Sequence, residues 1–141
     1  MNEGISLKPH ESMESVMDVW PQIEGFILPA LERDDWKMKP NQLLDKLADG
    51  EMGLYTAIDL KTGETFGALV AEVLEYPNAS VFSLAYCGGR ELHRWVHLIY
   101  DIEAEAARKG CHIVRIPGRK GWGHIFPSYK EVFRVFERTI Q

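Results

Sequence analysis

Cysteine is scarce in this sequence. Cys87 and Cys111 are the only two, too few for a disulfide framework, so a reduced setting is the default expectation. Long apolar runs are lacking as well: none approaches the roughly 20 residues that span a bilayer. There is no internal repeat, low-complexity tract or linker. The opening stretch, MNEGISLKPHESMES, is polar and acidic and does not read as a secretory signal, which adds to the expectation of a cytoplasmic chain. Metal-ligand spacing is also missing. His93 and His97 stand four apart without a companion Glu, and Cys111 and His112 are adjacent, so no metal site is expected.

Basic side chains are unevenly spread. Residues 1–107 hold 19 acidic and 8 basic groups, whereas residues 108–141 hold 2 and 8. The net charge of −5 therefore conceals a basic C-terminal quarter. Such asymmetry steers anionic ligands or partners. Net acidity argues against nucleic acid, whose binding rests on neutralising phosphates.

The 141 residues suit one domain, 1–141, with one core. Residues 5–8 read as a strand that stops at Pro9. Val16, Val19, Ile23, Phe26 and Ala30 then recur at helical steps. Pro21 predicts a break near Trp20 and a fresh helix after it. Pro40 opens a short helix carrying Leu43, Leu44 and Leu47, with Gly50 as its stop. The period then becomes two over 52–59 and 65–75, a hairpin around LKTGE. A third strand is expected at 80–86, apolar on both faces. A helix over 90–109 presents Leu92, Trp95, Val96, Ile99, Ile102 and Ala106. A strand over 111–116 follows, parallel to 80–86 through a right-handed crossover. Residues 121–129 read as a short irregular or helical connector, and 131–139 alternate as a final strand. The whole is an α+β domain on a mixed, mostly antiparallel sheet with one parallel pair joined by the crossover helix.

That order, with YCGG at 86–89, the helix carrying Trp95, KGC at 109–111 and GRKGW at 118–122, resembles the GNAT N-acetyltransferase fold over nearly the whole chain. More narrowly it resembles short GNAT-like proteins of phages and prophages. The resemblance implies an acetyl-CoA site at LAYCGGRELHRW, with Cys87, Gly88, Gly89 and Arg90 at the turn that binds pyrophosphate. Free N–H groups at a helix start suit an anion, and glycines let backbone come close. It also implies Glu72 and Glu75 as candidate bases and Tyr129 as candidate acid. The family's turn carries Gln or Arg, two residues, Gly, one residue, then Gly or Ala; this sequence has CGGREL, and Glu91 adds a like charge beside a diphosphate.

The expected function is therefore a non-catalytic, phage-type GNAT-like protein acting in a virion or another protein assembly, in host cytoplasm or particle. No cofactor is required in that case. The alternative is an active acetyl-CoA-dependent N-acetyltransferase acting on a small or protein amine. Arg119, Lys120 and Trp122 combine charge and aromatic surface, the residue types that anchor protein partners.

Overall fold

The computed structural model describes residues 4–34, 36–118 and 125–140. The elements are β1 (Ile5–His10), α1 (Met13–Arg33), α2 (Pro40–Asp49), β2 (Met52–Asp59), β3 (Thr65–Tyr76), β4 (Ala79–Gly89), α3 (Ile99–Arg108) and β5 (Ile113–Arg115). Two 3-10 turns, Leu92–Arg94 and Val96–Leu98, precede α3. The strands form one sheet in the order β1-β2-β3-β4-β5. The first three pairs are antiparallel, and β4 runs parallel to β5 across the α3 crossover. This is the α+β mixed sheet that the periodicities imply.

Alternation along the strands sorts side chains onto two faces. Leu54, Ala68, Val70 and Tyr86 meet Val16, Ile23 and Ile27 of α1 and Leu43 of α2. Tyr55, Leu69, Ala71 and Leu84 meet Ile99, Ile102 and Ala106 of α3 on the other face. Trp95 and Leu98 pack on Ile5, Ala57 and Phe66.

Helix α1 corrects the expected break near Trp20. It runs unbroken through Pro21 and Pro29. A proline inside a helix removes one hydrogen bond and crowds the carbonyl four residues back. Here both prolines are exposed, as are Met17 and Gly25, whose carbonyls lose their partners to water. The apolar stripe from Val16 to Leu31 stays continuous on the opposite face. The Ser12 hydroxyl caps the start by accepting from the Ser15 N–H at 3.1 Å.

Strand β1 likewise runs past Pro9 to His10, because β1 is an edge strand and Pro9 is exposed there. His10 is buried. Its Nδ1 lies 2.7 Å from Ser15 Oγ and its Nε2 2.8 Å from Thr56 Oγ1. Strand β4 extends to Gly89, beyond the expected end at residue 86. The expected helix over 90–109 is replaced by the two 3-10 turns and an α-helix that begins only at Ile99. Gly50, at φ 78°, ends α2 as expected.

The expected strand over 131–139 is not present; residues 130–140 pair with no strand among the described residues and are exposed. Alternation needs a partner edge to become a strand, and β5 is only three residues long. In the 121–129 connector, residues 121–124 lie outside the described residues, and Tyr129 N–H donates to the Phe126 carbonyl at 2.9 Å. Among the described residues no helix is long and apolar enough to cross a membrane.

Two stability measurements check this packing. Trp95 is 5% exposed and donates its indole N–H to the Arg90 carbonyl at 2.9 Å. Trp95→Ala should cost about 3–5 kcal/mol in urea unfolding, and a loss below about 1 kcal/mol would contradict the packing. Burial, with Lys8 adding to it, holds the His10 pKa below its ordinary 6.5. The unfolded chain therefore binds the proton first as pH falls. The contribution of His10 is full above its unfolded pKa and lost as pH drops from there through the lower folded value. Melting temperature should fall between about pH 7 and about pH 5, with a shallower fall in His10→Asn. An identical slope in the variant would remove His10 as the cause.

Candidate active site at the end of the fourth strand

Strand β4 loses one of its two partners midway. Its residues Val81, Phe82 and Ser83 pair with Ile113, Val114 and Arg115 of β5. Beyond Ser83 the β5 ladder stops, while pairing with β3 continues to Gly89. The β3 register jumps at the same place: Ala71 faces Leu84 and Val70 faces Tyr86, leaving Ala85 as an extra residue. A bulge of this kind bends its strand and raises the local twist. The bulge and the parting of β4 from β5 coincide, so one backbone edge of residues 84–89 lies outside the β5 ladder.

An apolar slot lies between this end of β4 and the start of α3. Leu69, Leu84, Cys87, Trp95, Ile99 and Phe126 are among its walls, and its free space is only about 20 Å³. That is room for about one water molecule.

The turn that follows is tightly packed. A Cβ at Gly88 would sit 2.1 Å from the Phe26 carbonyl oxygen of α1. At Gly89 it would meet Phe66 O at 2.6 Å and Trp95 Cζ2 at 2.8 Å, and at Gly67 the same Trp95 carbon at 2.5 Å. The glycines thus admit a helix backbone and an indole ring. The Arg90 N–H donates to the Phe66 carbonyl at 2.8 Å. Its guanidinium lies 4.4 Å from the Phe66 ring centroid and pairs with Glu64 and Glu91, both at 2.9 Å. These half-exposed pairs are worth at most about 1 kcal/mol each. Glu91 takes φ 51°, a left-handed backbone uncommon for a side-chain-bearing residue. The helix start expected beside Arg90 is thereby corrected: a left-handed residue and a three-residue 3-10 turn stand there.

Cys87 is half-buried, and burial pushes its thiol pKa up to about 11, which disfavours the thiolate near neutral pH. Glu72 faces Ser83 across the β3–β4 ladder, next to the point where β4 leaves β5. Glu75 faces Ser80, whose hydroxyl donates to it at 2.9 Å. Gly88 faces Ala68, four residues from Glu72 and so about 13 Å along the strand. The Tyr129 hydroxyl donates to Glu103 on α3 at 2.7 Å; burial, then that carboxylate, raises its pKa well above the ordinary phenol value. Among the described residues no hydrogen bond or ion pair joins Glu72, Glu75 and Tyr129 to one another. Arg119, Lys120 and Trp122 lie outside them.

One group of polar residues escaped the sequence reading. The Tyr55 hydroxyl donates to Glu105 at 2.5 Å, and Arg108 Nε donates to the same carboxylate at 2.7 Å. The Arg108 bond, with that of Tyr55, keeps Glu105 below the usual carboxylate range, and burial with Glu105 raises Tyr55. Tyr55 and Glu105 border a cleft of about 290 Å³ at the first residues of β2, with His10, Glu11, Glu51 and Glu72 also on its walls. The only local trace was Glu105 three residues before Arg108; the link to Tyr55 spans 50 positions. Among the described residues no three metal-ligating side chains converge.

No family model matches the sequence, and no curated protein does. Solved structures do match its shape. An aminoglycoside 6'-N-acetyltransferase from Acinetobacter baumannii is 17% identical with a TM-score of 0.61, over 98% of this chain and 100% of that one. A GCN5-related N-acetyltransferase from Ralstonia eutropha is 17% identical at 0.64, over 97% and 99%. A ribosomal-protein-alanine N-acetyltransferase from Brucella melitensis is 13% identical at 0.60, over 97% and 98%. The chain therefore has the GNAT-like acetyltransferase fold. At these identities the likeness is one of fold, and these three bacterial proteins do not extend the phage resemblance.

The packing of the turn has a direct test. Gly88→Ala should lower stability by about 2–3 kcal/mol or more, because a backbone carbonyl must move to admit the methyl group. A change under about 0.5 kcal/mol in urea titration would show that β4 does not press on α1.

Proposed function

We propose that the chain is an acetyl-CoA-dependent N-acetyltransferase acting on an amine. The observation that carries this reading is the coincidence of the Ala85 bulge with the parting of β4 from β5. Peptide groups on a strand edge outside a ladder remain available to another extended chain bearing amides. The pantetheine arm is such a chain. Full-length likeness in fold to acetyltransferases with different acceptors supports the same reading.

Acetyl-CoA would supply an activated thioester. The residues of β4 from Leu84 to Cys87 would hold its arm and orient the carbonyl carbon toward an entering amine. The amine nitrogen forms the new C–N bond, the C–S bond breaks, and the thiolate leaves. The nitrogen gives up a proton to a base, and the thiolate takes one up. Of the candidate carboxylates, Glu72 stands nearest the parting point in register, so it is the proposed base, directly or through a water. Gly88, Gly89 and Arg90 fit the diphosphate less well. Arg90 would have to exchange Glu64 and Glu91 for phosphate oxygens, and Glu91 would have to turn away.

That poor fit favours a second reading: a GNAT-like protein without catalysis that works through protein contacts, including a virion assembly. Thermal melts with about 1 mM acetyl-CoA separate the two. A ligand at about 100 times its Kd adds about 2.7 kcal/mol, roughly 5–10 °C for a chain of this size. The enzyme reading expects such a rise, with Glu72→Gln keeping the rise but losing acetyl transfer to a panel of amines. No shift at saturating ligand would favour the assembly reading.

A further inference from the structure

The slot at the end of β4 is too small for an extended cofactor arm. Leu84 and Cys87, whose backbone edge lies outside the β5 ladder, share this slot with Phe126, and its free space is about 20 Å³. Sites for cofactor-sized ligands start near about 300 Å³. An arm bonded to that edge would run about 4.8 Å from β4, as a neighbouring strand does. At least one wall has to move to admit it. Most walls are fixed in place. Leu69 and Leu84 stand on paired strands, and Ile99 and Ile102 on α3. Trp95 is wedged against Gly67 and Gly89 and donates to the Arg90 carbonyl. Ile116 follows β5 directly. Phe126 differs from all of these: it lies in an irregular turn far from any strand end, yet only 8% of it is exposed.

We propose that the Phe126 ring is a plug standing where the acetyl-CoA arm must lie, held shut by the bond from Tyr129 to Glu103, and that acetyl-CoA binds by displacing it. The inference rests on the acetyltransferase reading. The Tyr129 N–H donates to the Phe126 carbonyl at 2.9 Å, and the two ring centroids are 5.8 Å apart, so the turn moves as one piece. The Tyr129 hydroxyl ties that piece to α3 through Glu103 at 2.7 Å. Both rings pack in the apolar layer under α3, which adds to the hold. Beyond Tyr129, residues 130–140 pair with no strand among the described residues, so the turn can swing without breaking a ladder there. Swinging out uncovers an aromatic ring, which is unfavourable in water, so the shut form dominates the free chain. A ligand then meets only the open fraction, and its apparent Kd is the intrinsic Kd divided by that fraction. Once the ring has left, the amides of the arm can take the free edge of β4, and its carbon chain replaces the ring against Leu69, Leu84 and Ile99.

Fluorine NMR reads the plug directly. The chain has 6 phenylalanines; labelled with 4-fluorophenylalanine, each gives a resonance, and Phe126→Leu identifies the one from Phe126. Acetyl-CoA should move that resonance toward the position of a solvent-exposed ring such as Phe136. Titration calorimetry supplies the second arm. Phe126→Ala should bind acetyl-CoA at least about 10-fold more tightly than wild type, since a minor open state holds at most about 10% of the chains. Glu103→Ala removes the tie and keeps the ring. It should tighten binding at least about 3-fold, and it carries the test if Phe126→Ala does not fold. Wild-type binding with the Phe126 resonance unmoved, or wild-type affinity in both variants, overturns the plug and leaves the acetyltransferase reading standing. No binding by wild type or by either variant overturns both.

Discussion

The contact between Gly88 and the Phe26 carbonyl of α1 is the constraint on which the rest depends. Two backbones meet with no room for a single methyl group. The meeting point is the far end of β4, so α1 presses directly on the strand that carries the candidate site. Gly89 and Gly67, paired across β3 and β4, both make room for the same ring carbon of Trp95. Glycines in strands usually mark a bulge or a close approach, and here the bulge at Ala85 and the close approach at Gly88 lie three residues apart. With its end pinned to α1 and β3, β4 runs on past the last residue pair it makes with β5, and the small apolar slot lies between that end and the start of α3.

This arrangement explains why one stretch serves two readings. The bulged edge from Leu84 to Cys87 lies outside the β5 ladder, the feature on which the enzyme reading rests. The turn after it is built for packing, with Arg90 over Phe66 and paired to two carboxylates. The strand edge and the turn after it are separable parts, and the two readings weigh them differently. Ion pairs as exposed as those of Arg90 are weak, so a diphosphate competes with them on small energies rather than against a buried network.

Much of the architecture was legible because periodicity is a local property. Strands β2 and β3, the hairpin between them, α2 with Gly50, and the parallel placement of β4 and β5 all follow from short patterns and element order. The misreadings share one cause: a long-range partner that no local pattern shows. Pro21 reads as a break until α1 is seen to turn both prolines to water. Residues 90–98 read as helix because their apolar spacing is helical, yet Trp95 and Gly89 pack on β3 and hold the segment as 3-10 turns. Residues 131–139 alternate like a strand but have no partner within their own sheet. Legibility of the site was poorer still. Glycines at 88 and 89 suggest anion binding when read alone and helix contact when Phe26 is known. Tyr55, Glu105 and Arg108 form a group that no motif spacing announces.

Amide hydrogen exchange resolved along β4 tests the central claim most directly, because it reads the strand edge itself. The account expects the amides of Val81–Ser83 to be protected with or without ligand. It expects those amides of Leu84–Cys87 that point away from β3 to exchange quickly in the free protein and slowly with saturating acetyl-CoA. Equal protection of both stretches in the free protein, or rapid exchange of Leu84–Cys87 that acetyl-CoA leaves unchanged, would contradict it.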